Sequence, residues 1–181
     1  MKRWFVCFFL LIAGINMTAF GQSEGKELSI LKGTKVFNYH FYCDSIEGQD
    51  AKDFIAAQMK DEEETPQYLF DKYMNRMELS FLTGIKMSWF NRHGYTLDNS
   101  EKQKCEIIFS FSNVKANSSH TITAAIINSE TKQGIVKKRI YQSGRKKSKD
   151  NFRNVFLEIL TESGESIGDA LSNIMEKVNK Q

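Results

Sequence analysis

Proline is nearly missing from this chain: Pro66 is the only one in 181 residues. Linkers and low-complexity tracts are rich in proline and glycine, so a chain without them reads as continuous folded structure. Cysteine is scarce, with Cys7, Cys43 and Cys105 alone. A disulfide-stapled miniature scaffold is therefore excluded. Charge of one sign is also lacking. The chain has 25 Lys+Arg against 22 Asp+Glu, and long-range attraction to a polyanion needs a large summed field. Nucleic acid is not an expected partner. The sequence contains no G-x-S-x-G, P-loop, G-x-G-x-x-G or H-E-x-x-H motif. Its three histidines, His40, His93 and His120, stand in no zinc spacing. No catalytic, cofactor-binding or metal-binding residue can be named, and no cofactor is expected.

The N-terminus holds the longest apolar run. Lys2 and Arg3 precede "WFVCFFLLIAGI", Trp4 to Ile15, and Ala19 and Gly21 are small residues before Gln22. A positive start, a short apolar stretch and a small-x-small site describe a secretory signal peptide, residues 1–21. The run is shorter than the about 20 apolar residues that span a bilayer. Cleavage before Gln22 would leave 160 residues with a net charge of +1 and no transmembrane segment. That length suits one domain with a core of its own. The expected location is periplasmic or extracellular.

Residues 22–33 are polar and read as a flexible N-terminal arm. The domain follows, residues 34–181. "TKVFNYHFYCD" alternates: Phe37, Tyr39, Phe41 and Cys43 share one face, Asn38, His40 and Tyr42 the other. Asp50 is placed to cap a helix that stops near Lys60. Thr65 and Pro66 open the next helix, carried by apolar residues from Leu69 to Trp89 and closed by Gly94. Gly84 is a weak point in it, where a kink can form.

Period two returns after Gly94. Cys105, Ile107, Phe109 and Phe111 share a face, as do Ile122, Ala124 and Ile126, and "GIVKKRIY" completes a three-stranded meander with short polar links. The last helix begins after Asp150. Gly164 and Gly168 either let it approach a neighbour closely or split it in two. The expected order is β-α-α-β-β-β-α. The fold class is α+β: a two-layer sandwich of a four-stranded, mostly antiparallel sheet with helices on one face.

Two constellations stand out. "VKKRIYQSGRKKSKD", Val136 to Asp150, contains seven bases in fifteen residues. Lys138 shares the inward face with Val136 and Ile140, which marks an edge strand guarded by charge. Arg145, Lys146, Lys147 and Lys149 gather before a helix N-terminus. They are either a solvated loop or a site for a phosphate, sulfate or carboxylate. Cys43 and Cys105 both fall on apolar strand faces. They are a disulfide if their strands bring the Cα atoms within about 7 Å, and buried free thiols otherwise.

The residues before Gln22, the strand "TKVFNYHFYCD", "AAIINSETKQGIV" and the tail "ESIGDALSNIM" together resemble small exported proteins of Bacteroidetes-type bacteria. The layout is similar to two-layer α/β folds such as the TolB N-terminal domain. That resemblance implies a periplasmic or cell-envelope role and carries no ligand or catalytic residue across. The expected function is a non-enzymatic exported interaction domain. Its protein partner would meet the open sheet face at Tyr42, Ile108, Ile135 and Tyr141. The alternatives are an anion-binding module using the basic loop and a small enzyme without a recognisable motif.

Overall fold

The computed structural model describes residues 24–58, 65–145 and 152–180. The expected signal peptide, the acidic run Asp61–Glu64, Lys146, Lys147, Lys149 and Asp150 lie outside them. Five strands form one mixed sheet. Strands β1 (Val36–Cys43), β5 (Cys105–Ser112), β6 (His120–Asn128) and β7 (Gly134–Gln142) are those the alternation marks. A two-residue strand, β4 (Thr96–Leu97), joins the far edge, giving the order β4-β1-β5-β6-β7. The short β2 (Ser45–Ile46) and β3 (Gln49–Asp50) make a separate ribbon.

The four-stranded, mostly antiparallel sheet expected from sequence is corrected in two respects. The sheet has five strands, because a two-residue strand is too short to show period two. It is also evenly mixed: β1 runs parallel to both β4 and β5, while β5, β6 and β7 form the antiparallel meander. The parallel pairs arise from the long helical connection after β1, which returns the chain to the end where β1 began.

The helices follow from local signals with one break. Asp50 accepts the amide hydrogens of Lys52 and Asp53 at the start of α2 (Ala51–Gln58). Thr65 accepts that of Tyr68 at the start of α3 (Pro66–Met87), which has proline in its first turn. The helix expected to run past Trp89 to its close at Gly94 stops at Met87. Ser88 is extended, and Asp169 of α5 (Phe152–Lys180) accepts the Trp89 amide at 2.7 Å, restarting the chain as α4 (Trp89–Arg92). Gly94 then turns with φ 78°. The segment read as a loose arm carries α1 (Glu24–Leu31), ended by Gly33 at φ 76°. So short a helix is marginal alone. It forms here because Leu31 is wholly buried and the Gly33 amide donates to Asn179 on α5.

Phe37, Cys43, Cys105, Ile107, Phe109, Phe111, Ile122, Ala124 and Ile126 are all buried on one sheet face. Phe81 of α3 packs on Phe41, Phe109 and Phe111, and Phe156 of α5 packs on the His120 ring. Helices α3 and α5 are in backbone contact with each other. A Cβ on Gly84 would lie 1.9 Å from the Thr161 carbonyl oxygen, and one on Gly164 would lie 2.1 Å from that of Phe81. Gly84 is thus the crossing point rather than a kink, and α5 is a single 29-residue helix.

Candidate functional site

The opposite sheet face carries Asn38, His40 and Tyr42 from β1, Glu106, Ile108 and Ser110 from β5, Thr121, Thr123 and Ala125 from β6, and Lys137, Arg139 and Tyr141 from β7. Register aligns Tyr42, Ser110, Thr123 and Arg139 in one row across four strands. A second row runs His40, Ile108, Ala125, Lys137. Every one of these residues is half-buried or exposed except Glu106. Tyr42 and Tyr141 stand at 37% and 68% exposure at opposite sides of this surface.

Glu106 is the one carboxylate among these residues, and it has two basic side chains against it. The His40 ring Nε2 lies 2.8 Å from its Oε2, and the Lys132 ammonium pairs with its Oε1. Lys132 reaches back over β5 from the β6–β7 turn, where its backbone is left-handed at φ 58°. Tyr42 stacks on His40 with ring centroids 6.1 Å apart. Burial raises the Tyr42 phenol above its ordinary range, and the Glu106 and Asp44 carboxylates add to the effect. The cluster holds an oriented, exposed imidazole on the open face of the sheet.

His120 sits on the other face. Its Nδ1 donates to the Ser118 carbonyl at 2.9 Å, and its Nε2 lies 2.9 Å from the Ser163 hydroxyl. Burial depresses its basicity, which favours the neutral ring, and the Ser163 hydroxyl has both Nε2 and the Ile159 carbonyl, 2.8 Å away, as acceptors for its one hydrogen. A serine beside a histidine has the atoms of a nucleophile and base. Both residues are 0% exposed, so no substrate reaches them, and the pair ties α5 to β6. His93 ends α4 with Nδ1 2.8 Å from both the Ser172 hydroxyl and a Glu176 oxygen.

The expected sites fare unequally. Arg145 bonds Glu158 at 2.5 Å and also Glu162, both on α5, so its charge is already answered by acids. Lys146, Lys147 and Lys149 lie outside the described residues. Cys43 and Cys105 are buried free thiols. Their strands are adjacent, as a disulfide requires, but the parallel register pairs Cys43 with Phe111, six positions beyond Cys105. At 3.3 Å per residue the two lie about 20 Å apart, far beyond bonding reach. Burial pushes the Cys43 thiol up to about 12 and also raises that of Cys105. In the expected contact patch, Tyr42, Ile108 and Tyr141 take the open face. Ile135 does not. The register shifts at Ile126/Ile127, and Ile135 packs against the core instead. One inserted residue reverses which way a side chain points.

A cleft of about 540 Å³ opens between α1 and β1, lined by Ser29, Lys32, Thr34, Lys35 and Lys104. Lys35 is spent on the His93 carbonyl and the Tyr95 ring, and the negative end of α1 faces the cleft. That arrangement disfavours an anion. Among the described residues, no group of three or more His, Cys, Asp or Glu could hold a metal ion. No described helix is long and apolar enough to cross a membrane. In comparisons with known proteins, no family model, no curated protein and no solved structure matches the chain. The resemblance to exported proteins and to the TolB N-terminal layout therefore rests on sequence pattern alone.

Sequence reasoning missed the His40–Glu106–Lys132 cluster. Its signal was faint: His40 and Glu106 occupy outward positions of two alternating strands. Their meeting depends on a parallel pairing that no local pattern encodes.

Proposed function

We propose that the chain is an exported, non-enzymatic two-layer domain that binds a protein partner through the open face of its sheet. The observation that carries this reading is the inequality of the two faces. One is sealed by α3 and α5. The other leaves four strands' side chains, Glu106 apart, half-buried or exposed, with two tyrosines among them. Tyrosine is enriched at interfaces because it offers a large rigid ring with a polar tip. The basic loop gives less support to an anion-binding module, since Arg145 is paired with Glu158 and Glu162.

A photo-crosslinking amino acid placed at Thr123 tests the reading in cells that make the protein. Leu79, 65% exposed on α3, is the control position. A discrete adduct is expected from Thr123, weakened when Tyr42→Asp and Tyr141→Asp are added. Adducts from Leu79 with none from Thr123 would place the contact surface on the helices and end this reading.

A further inference from the structure

The two edges of the sheet are not alike. β4 offers two residues and cannot template another strand. β7 is nine residues long and, among the described residues, is paired on one side only, with β6. Its centre is Lys137-Lys138-Arg139, all three exposed. Their partners across β6 are Ala125, Ala124 and Thr123, so no acid faces them in the sheet. None of the three bases makes an ion pair or hydrogen bond among the described residues. Alternation sends Lys137 and Arg139 to the open face and Lys138 to the helix side. Uncompensated positive charge thus lies above and below an edge whose backbone is free to pair.

One or two lysines on an edge suffice to discourage aggregation. Three bases in succession also specify what the edge rejects. A second copy pairing antiparallel about Lys138 would set Lys138 against Lys138 and Lys137 against Arg139, and like charges directly opposite are destabilising. The same array favours a strand with carboxylates at its centre. Such a strand would bond its backbone to β7 and answer Lys137 and Arg139 on the open face. We propose that the free edge of β7 accepts an extended acidic segment of another protein as a sixth strand. The inference rests on the reading of the chain as a binding module and names the partner's chemistry.

The probe is a capped peptide of about ten residues alternating glutamate and valine, a typical strand length. It is titrated into the isotope-labelled protein and followed by backbone amide shifts. Shifts should concentrate on Gly134–Gln142 and its β6 neighbours. Binding should weaken at least about tenfold when salt is raised severalfold. It should be lost when alternate peptide nitrogens are methylated, which removes the ladder bonds and keeps the charge. The pair Lys137→Glu and Arg139→Glu should abolish binding of this peptide and admit the lysine–valine counterpart. Retention of the wild-type amide spectrum outside β7 shows that the variant is folded.

Three outcomes overturn the proposal. They are no binding, equal binding of the methylated peptide, and concentration-dependent self-association through β7. If the edge fails while the Thr123 adduct persists, only the edge proposal falls. If the edge binds the acidic peptide but Thr123 gives no adduct, the open-face reading falls alone.

Discussion

The same strands build two unlike surfaces. On the covered face of β5, Phe109 is buried among Phe81 and its neighbours, while the next residue, Ser110, looks outward and is half-buried. A histidine on each face shows the contrast at one residue type. His120 is sealed, neutral and tied to a serine. His40 is 47% exposed and tied to a carboxylate. On the buried side each ring nitrogen of His120 has a partner, as burial of a polar group demands. On the open side solvent supplies what the protein does not, so charge can collect there without being neutralised, as it does on β7.

The largest test of this asymmetry is a pair of neighbours. Phe109→Ala should lower stability by about 3–5 kcal/mol, from lost burial and the cavity left behind. Ser110→Ala should change it by no more than about 0.5 kcal/mol. Denaturant titration of both variants measures the difference, and similar losses would mean that the open face is also packed.

The second test is pH. Burial lowers the basicity of His120 in the fold below the ordinary value near 6.5, so the unfolded chain takes up the proton first. Stability from this group is fully present above about pH 6.5 and falls as pH drops below it, by at most about 1.4 kcal/mol per unit for one proton. The fall ends where the folded ring itself protonates. Unfolding free energies between pH 7 and pH 5 should drop more steeply for the wild-type protein than for His120→Gln. Parallel curves would show that the ring is not sealed.

A small effect belongs to the open face. His40→Ala removes one partner of Glu106 and leaves Lys132 in place, so thermal unfolding should report a loss under about 1 kcal/mol. A loss of several kcal/mol would give His40 a structural weight that its exposure argues against.

Much of the chain was readable in advance. The Asp50, Thr65 and Gly94 signals stand where helices begin and end, because a cap concerns atoms within a few residues. The β5–β6–β7 meander follows from short links. Lys138, facing inward on a terminal strand, marked β7 as an edge. Harder to read were features set by distant partners. Helix α1 exists because Leu31 finds a core, and the break at Ser88 because Asp169, 80 positions from Trp89, accepts an amide. The bulge that turns Ile135 inward shifts register by one residue, a change no alternation pattern announces. The candidate site was legible only in part: its outward positions could be named, while the pairing of His40 and Lys132 with Glu106 could not.

What the sequence determined by itself is which side of each strand and helix is apolar, since side-chain direction repeats every two or 3.6 residues whatever lies nearby. What the tertiary structure alone decided is who meets whom. The parallel docking of β1 on β5 separates Cys43 from Cys105, joins His40 to Glu106 and, with the meander beyond, leaves the outer edge of β7 without a strand partner among the described residues. Register between segments far apart in the chain is selected by the packing of the whole sheet against its helices, and no local stretch contains that choice.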